Sequence, residues 1–187
     1  LHEAVLDGVK NDGSKKEIET ITFYNHEAFG EKITQMLMTR LKFSNDMISN
    51  VSHLVKEHMF HYESNWSEAA VRRFIIRVKP ECMEDLYDLR LADMYGMYNE
   101  KVDVRYSESV KLLLELKVRV EKELSKKTAL SLKSLAVNGR DLMQLGIPAG
   151  KELGRILNEL LECVIEDPAM NNKEMHIETA KKIFYNK

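Results

Sequence analysis

The spacing of apolar residues constrains the fold of this chain more than any other feature of its sequence. Apolar side chains recur every three or four positions, the period of an α-helix, and no stretch alternates as a half-buried β-strand does. The pattern is interrupted by 3 prolines and 8 glycines over 187 residues. The sequence therefore predicts an all-α fold, a multi-helix bundle, with helices near 27–41, 46–58, 67–78, 81–98, 107–123, 141–145, after Gly150, and from 172 to the C-terminus.

The first predicted helix carries an apolar stripe. Ile33, Met36, Leu37 and Leu41 follow one another at helical spacing. Because a helix on the surface of a globular protein normally turns such a stripe toward the interior, we expect these four side chains to be buried.

A helix–loop–helix is predicted at residues 138–161. Asn138-Gly139 is a turn dipeptide that ends the preceding segment and starts a new helix. Asp141 lies in the first turn of the short helix DLMQL, where a carboxylate suits the positive end of the helix dipole. Gly146 follows, at the position where helices commonly end on a left-handed residue.

The loop after this short helix favours contact with an anion. Gly150 lets the backbone approach a ligand closely, and free amides at the N-terminus of the next helix can hold a phosphate. Lys151 and Arg155 lie four residues apart, on one side of that helix. The order L-x-x-L-G-I-x-x-G-x-x-L-G-x-I-L is similar to the helix–hairpin–helix motif that grips nucleic-acid backbones, with a loop one residue longer. The alternative interpretation is a tight corner within a helical core.

Composition and charge exclude several classes of protein. The hydrophobic share of 44% and the charged share of 31% are those of an ordinary soluble protein. A net charge of −2 gives no global attraction to nucleic acid, so any such binding needs a local basic patch. Cys82 and Cys163 lack metal-ligand spacing and suit a reducing cytoplasm. No apolar run reaches membrane-spanning length, and we expect no signal peptide. The start at Leu1 rather than Met predicts an excised fragment.

The histidines are concentrated near the N-terminus, where five of the six lie in the first 61 residues. Neutral imidazole and carboxylate are ligands that a divalent transition metal would use. His26 begins a predicted helix, His58 ends another, and Asp93 lies late in a further one, so crossing helices could bring the three together. The alternative is that these histidines are surface or helix-end residues with satisfied hydrogen bonds.

This order of residues resembles the HD superfamily of metal-dependent phosphohydrolases, in which a His, a His-Asp pair and a later Asp supply the metal ligands. By that resemblance the pair falls at His2-Glu3, which would join His26, His58 and Asp93. Glutamate is one methylene longer than aspartate, so its oxygen would be displaced by about a bond length, whereas metal sites tolerate about 0.2 Å. The resemblance implies either a vestigial site or a working phosphodiesterase or phosphatase.

Seven segments in series resemble a second family: FYNHEAFG, LKFSND, KEHM, AVRRFI and LADM, followed by LKSLAVNGRDLMQLGIPAGKELGRILNELL and EDPAMNNKE. In this order they resemble the C-terminal half of HD-containing members of the tRNA nucleotidyltransferase (CCA-adding) and poly(A) polymerase family. The resemblance covers residues 20–178. It implies an HD-like helical subdomain at 1–100 and a smaller, tRNA-binding-like helical tail at 101–187, with the boundary in a connector at 101–106.

The same resemblance implies a body-and-tail region without the polymerising site. In the family an N-terminal head holds Mg²⁺ on paired aspartates, and the metal promotes attack of the tRNA 3′-hydroxyl on ATP or CTP. This chain has no glycine-rich loop followed by such a pair. We therefore expect no catalytic residue and no cofactor in the fragment, and Mg²⁺ with ATP or CTP for the full-length enzyme. The expected partners are tRNA, or another RNA 3′ end, and the head of the same protein.

The leading hypothesis is that the region holds the tRNA acceptor arm, which as an A-form helix is recognised by shape, phosphates and 2′-hydroxyls. Residues 101–133 carry nine positive and five negative charges, whereas residues 136–162 carry three positive and four negative. The arginines of the third predicted helix are expected to face solvent. The residues predicted to contact RNA are Arg72, Arg73, Arg77, Lys126, Lys127, Lys133, Arg140, Gly146, Gly150, Lys151 and Arg155.

Two other functions compete with RNA binding. An HD-type phosphohydrolase predicts a bound transition metal at His26, His58 and Asp93, together with turnover. A helical interaction module, in which the ten methionines serve a protein partner, predicts a stable oligomer that is indifferent to RNA. The glutamate after His2 favours binding over hydrolysis, and the lack of a sustained heptad pattern disfavours the interaction module.

Overall fold

The computed structural model describes residues 5–6, 21–22, 25–97, 107–126 and 128–185. Within these ranges the fold is helical, as predicted, apart from one short strand pair. The helices begin and end within two residues of the predicted positions, except that α7 continues to Glu166, beyond the predicted end of the helix–loop–helix at 161. The helices are α1 His26–Arg40, α2 Asn45–Glu57, α3 Glu68–Val78, α4 Met83–Met97, α5 Glu108–Ser125, α6 Gly139–Met143, α7 Lys151–Glu166 and α8 Lys173–Tyr185.

One element was not predicted. Strands β1 (Val5–Leu6) and β2 (Ile21–Thr22) form an antiparallel pair, in which Val5 lies opposite Thr22 and Leu6 lies opposite Ile21. Strands of two residues are too short to display alternation of apolar and polar side chains, and the sequence pattern therefore gave no sign of them.

Contacts within the chain divide it into two compact units, residues 1–59 and residues 60–187. The predicted boundary between 1–100 and 101–187 lies among residues 98–106, outside the described residues, and it stays a prediction.

The first unit contains the hairpin of α1 and α2. Ser44 caps α2, because its hydroxyl accepts a hydrogen bond from the Met47 N–H at 3.3 Å. The two helices approach closely at Gly30, where an added Cβ would lie 2.9 Å from Val55 Cγ1. A larger residue at position 30 would therefore force the Val55 side chain to shift.

The apolar stripe of α1 is exposed, so the prediction that it faces the core is wrong. Ile33 is 49% exposed, Met36 63%, Leu37 45% and Leu41 68%. No residue of α1 is buried. The half-buried positions of α1 include Glu31, Thr34 and Met38, so the face that packs in the hairpin is rotated around the helix from the apolar stripe.

In the second unit, α3 packs against both α5 and α7. The side chains of Val71 on α3, Leu116 on α5 and Ile165 on α7 are buried. As predicted, Ser67 caps α3, with its hydroxyl accepting the Ala70 N–H at 3.1 Å.

A second apolar cluster in this unit joins the helix–loop–helix to α8. Leu142 of α6, Ile147 of the loop, Ile156 and Leu160 of α7, and Ala180 of α8 are all buried in it. The helix–loop–helix is thus packed against the last helix of the chain. None of the described helices combines the length and the apolar character needed to cross a membrane.

Candidate nucleic-acid interface

The helix–loop–helix begins with a capping box, which confirms the role predicted for Asn138 and Asp141. The Asn138 side-chain oxygen accepts hydrogen bonds from the Arg140 N–H at 2.8 Å and the Asp141 N–H at 3.3 Å. In return, Asp141 Oδ2 accepts the Asn138 N–H at 2.9 Å. These reciprocal bonds satisfy amides that α6 itself cannot pair, so the sequence fixes the start of α6 locally.

The loop at residues 146–150, here called the glycine loop, has two residues with positive φ. Gly146 has φ of 87° and ends the turn after α6, as predicted, while Gly150 has φ of 113° and immediately precedes α7. Side chains disfavour this region of backbone space. The amides in the first turn of α7 have no side-chain acceptor, because glycine occupies the capping position. Both glycines are therefore required by the turn.

Within the described part of the chain, three of the predicted RNA-binding cations on or just before this segment are exposed and unpaired. Lys133 lies in a 3-10 turn before α6, Arg140 in the first turn of α6, and Lys151 at the first position of α7. Among the described residues, none of the three forms an ion pair. Their positive charge is therefore available to a phosphate.

Two further predicted cations are already paired within the protein. Arg155 Nη2 lies 2.6 Å from Glu152 Oε1, and Arg155 Nη1 also donates to Glu159. Lys126 Nζ donates to Glu123 at 2.6 Å and to Glu68 at 3.0 Å. Both hydrogen bonds raise the pKa of Lys126, and the bond to Glu123 has the larger effect. Lys127 lies outside the described residues.

The expectation that Arg72 faces solvent is wrong, because its side chain is 3% exposed. Arg72 Nη1 donates to Glu123 Oε2 at 2.8 Å. Its Nε donates to the Ile165 carbonyl at 2.7 Å and its Nη2 to the Glu166 carbonyl at 3.1 Å. These are the last two carbonyls of α7, so the guanidinium caps the negative end of that helix. With α5 and α7 both packed against α3, position 72 lies between helices.

The other two arginines of α3 are exposed, as expected. Arg73 Nη2 pairs with Glu166 Oε1 at 2.6 Å and with Glu162 Oε2 at 3.0 Å, and both hydrogen bonds raise the pKa of Arg73. Arg77 lies over the Phe74 ring, with its guanidinium carbon 5.4 Å from the ring centroid. The exposed side of α3 therefore has carboxylates beside Arg73, one of its two predicted RNA-binding cations.

Two of the predicted metal ligands lie together in the first unit. The rings of His26 and His58 are edge-to-face, with centroids 5.4 Å apart. His58 Nδ1 lies 2.6 Å from the Val55 carbonyl, which makes Nδ1 the protonated nitrogen and leaves Nε2 as a lone-pair donor. An imidazole held through one nitrogen by a carbonyl is the usual arrangement of a metal-binding histidine.

The remaining predicted ligands do not complete a set within the described part of the chain. Asp93 belongs to the second unit, where its Oδ2 accepts a hydrogen bond from Arg90 Nη1 at 2.9 Å. His2 and Glu3 lie outside the described residues. In the ranges that are described, no group of three or more His, Cys, Asp or Glu side chains could hold a metal ion. The metal site as a whole stays a prediction.

Sequence reasoning missed the side chains that hold the helix–loop–helix from outside. Asn171, which precedes α8, bonds the backbone of Ser134 and Ala136, and Lys173 pairs with Asp141. The sequence signal was limited to the Asn171-Asn172 pair before a predicted helix, where one asparagine is expected to cap. These contacts join residues that are 32 to 37 positions apart, so a local sequence pattern cannot predict them.

The chain is similar to several tRNA nucleotidyltransferases. The A-adding tRNA nucleotidyltransferase of Deinococcus radiodurans is 29% identical over 142 residues, which cover 75% of this chain and 31% of the relative. The CC-adding tRNA nucleotidyltransferase of Thermus thermophilus is 29% identical over 156 residues, or 80% of this chain and 31% of the relative. A CCA-adding enzyme of Ligilactobacillus salivarius is 41% identical over 58 residues, or 30% of this chain and 14% of the relative.

The first and second of these matches cover most of this chain but only part of each relative. The chain spans about a third of the length of the first and second of these curated relatives. No solved structure matches it. The family model described as tRNA nucleotidyltransferase domain 2 matches residues 14–180, which is most of the 187-residue chain. The chain therefore belongs to the tRNA nucleotidyltransferase domain 2 family.

Proposed function

We propose that this region binds tRNA for a nucleotidyltransferase, and that the helix–loop–helix at 138–161 contacts the RNA backbone. The observation that carries the proposal is the set of three exposed, unpaired cations on this segment and just before it, Lys133, Arg140 and Lys151. Membership in the family supplies the class of ligand. The glycine loop and the uncapped start of α7 supply backbone amides of the kind that hold phosphate oxygens.

The physical basis of this binding is electrostatic rather than base-specific. The acceptor arm of tRNA is an A-form helix whose major groove is too narrow for side chains, so a protein reads its phosphates, 2′-hydroxyls and shape. Each phosphate neutralised by a lysine or arginine releases counterions, and binding then weakens as salt rises. With a net charge of −2 on the whole chain, such binding depends on the local cations named above.

We propose further that the complete protein adds nucleotides to the 3′ end of tRNA with Mg²⁺ and ATP or CTP. The names of the relatives, which are A-adding, CC-adding and CCA-adding enzymes, support this proposal. In that case the region described here holds the acceptor arm, a nucleotidyltransferase head of the same protein is its partner, and the cytoplasm is its compartment.

The test is the salt dependence of tRNA affinity for the 187-residue chain and its variants. We expect a linear fall of log affinity with log salt, and a slope reduced by about one for Lys151→Gln and again for Arg140→Gln, because each loses a phosphate contact. Lys56→Gln is the matched control, since Lys56 lies in the first unit and faces Glu31 at 3.9 Å. Equal slopes for all four proteins would reject the proposed interface.

The histidine pair of the first unit favours a second candidate function, divalent metal binding with phosphohydrolase activity. Its support is the 5.4 Å separation of the His26 and His58 rings and the fixed tautomer of His58. The measurement is metal content of protein purified without chelator, together with turnover of a generic phosphodiester. Metal near one equivalent and turnover that is lost in His58→Ala would establish this function. Metal-free, inactive protein would eliminate it.

A further inference from the structure

The last helix, α8, is tied to the helix–loop–helix at both of its ends. Just before α8, Asn171 Oδ1 accepts the Ala136 N–H at 2.8 Å, and Asn171 Nδ2 donates to the Ser134 carbonyl at 3.2 Å. At the other end, the Tyr185 hydroxyl donates to the Leu145 carbonyl at 3.1 Å. A helix of 13 residues is about 20 Å long, so these contacts hold two well-separated points.

A third contact holds the start of α6. Lys173 Nζ lies 2.7 Å from Asp141 Oδ1, while Asp141 Oδ2 accepts the Asn138 N–H of the capping box. The hydrogen bond from Lys173, followed by that from Asn138, lowers the pKa of Asp141. Lys173 thus offsets the negative charge that adjoins Arg140, and this charge would otherwise repel a phosphate.

The orientation of the Asn171 side chain is fixed from inside the protein. His176 is 1% exposed, and its Nε2 lies 3.0 Å from Asn171 Oδ1. Because Asn171 Oδ1 also accepts the Ala136 N–H, it is an acceptor here, and His176 Nε2 must be the donor. The imidazole therefore prevents the amide of Asn171 from flipping.

These contacts fall at the junctions of the segment that presents the cations. Ala136 precedes the capping residue Asn138 by two positions, and Leu145 directly precedes Gly146, the first residue of the glycine loop. Behind them, Ala180 of α8 is buried in the same apolar cluster as the loop residue Ile147. The helix α8 therefore fixes both ends of α6 and the entry to the glycine loop.

We propose that Asn171 and Tyr185 are positioning residues for RNA binding: through them α8 holds the glycine loop and α6 in the binding geometry before RNA arrives. This inference rests on the proposed function. A loop ordered in advance loses less conformational freedom on binding, and this increases affinity without any added contact to the ligand. Neither side chain is charged at neutral pH, so their effect on affinity is separable from that of the phosphate-binding cations.

The experiment measures the affinity of the 187-residue chain for a tRNA transcript that lacks its 3′ CCA, at several salt concentrations. Tyr185→Phe should raise the Kd roughly 2- to 10-fold, the effect of one net hydrogen bond, with an unchanged salt slope. Asn171→Ala, which loses three side-chain hydrogen bonds, should raise the Kd at least as much, also with an unchanged salt slope. The unchanged slope distinguishes lost geometry from a lost phosphate contact. Tyr185 is 64% exposed, so its variant retains the fold even where Asn171→Ala destabilises it.

The matched controls change the same atoms elsewhere in the second unit. Asn65→Ala removes an exposed amide in the turn before α3, and Tyr95→Phe alters a tyrosine that is 50% exposed on α4. Both controls should bind as the unaltered chain does. If Asn171→Ala and Tyr185→Phe also bind normally while Lys151→Gln is weaker, the positioning role is overturned and the proposed interface stands. If the unaltered chain shows no salt-dependent tRNA binding, the proposed function and the positioning role both fail.

Discussion

Arg72 is the residue whose surroundings differ most from those that its charge suggests. A guanidinium has five N–H donors and no acceptor, so its burial requires several acceptors at once. Here the acceptors are Glu123 and the carbonyls of Ile165 and Glu166. One side chain of α3 thereby bonds both α5 and α7, and Arg72 serves the stability of the second unit rather than its surface.

Replacing Arg72 by methionine should destabilise the second unit by about 3–5 kcal/mol, because Glu123 would then keep a buried charge with one cationic partner fewer. Urea unfolding followed by circular dichroism measures this loss. The double variant with Glu123→Met should recover part of it, since the uncompensated carboxylate is gone. A cost below about 1 kcal/mol for the single variant would show that the buried pair contributes little.

His176 makes stability depend on pH. Its Nε2–H donates to Asn171, and its Nδ1 is buried without a hydrogen-bond partner among the described residues. Burial lowers the pKa of His176 in the folded protein, so the unfolded chain takes up the proton first as pH falls. The contribution of His176 to stability should be constant above the pKa of histidine in the unfolded chain, about 6.5. Below that pH the free energy of unfolding should decrease, by at most about 1.4 kcal/mol per pH unit, until the pH passes the lower pKa of the folded protein.

The measurement for His176 is the free energy of unfolding in urea at pH 7.5 and at pH 5.5. His176→Gln keeps a donor and does not titrate, so its stability should change less over this interval than that of the unaltered chain. Equal changes in the two proteins would assign the pH dependence to other groups.

At the scale of elements, two glycines of the helix–loop–helix should respond to alanine in opposite directions. Gly146 has φ of 87°, so Gly146→Ala places a side chain in left-handed backbone and should cost about 1–2 kcal/mol. Gly154 lies within α7, and an added Cβ would meet nothing within 4 Å, so Gly154→Ala should stabilise by about 0.5–1 kcal/mol. Thermal unfolding of both variants tests the pair, and a stable Gly146→Ala would contradict the turn described here.

The elements themselves were predictable because their signals are local. Ser67 and Asn138 cap their helices through bonds to amides two or three residues away, and Gly146 ends a turn through its own backbone angle. Interactions between residues so close in sequence can be predicted from a short stretch of the chain. The three exposed cations of the candidate interface were found in the same way, from their places on and beside predicted helices.

The features that were not predictable depend on which elements pack together. Periodicity identified the stripe of α1 correctly but not its direction, since Ile33 and Leu41 are buried only if another element covers them. Arg72 looked like Arg73 in sequence, yet α5 and α7 cover Arg72 alone. The contacts of Asn171 likewise join residues more than thirty positions apart.

At the scale of the whole molecule, the two units differ in how much they bury. In the first unit α1 has no buried residue and α2 has Ser52 alone, whereas α7 has four buried apolar side chains. Local opening needs less free energy where fewer apolar contacts are lost. Amide hydrogens of α1 and α2 should therefore exchange at least about 10-fold faster than those of α7. Hydrogen exchange at residue level tests this, and equal protection would mean that the first unit is stabilised by contacts beyond its hairpin.

The hydrogen bonds of Arg72 also determine which substitutions around it the protein can tolerate during evolution. Two of its three acceptors are main-chain carbonyls, at positions 165 and 166, and a carbonyl is present whatever amino acid a mutation installs there. The acceptor at position 123 is a side chain, and a mutation can remove it. Natural selection should therefore retain arginine at position 72 through changes at 165 and 166, while substitution at 123 should follow or accompany compensating change nearby.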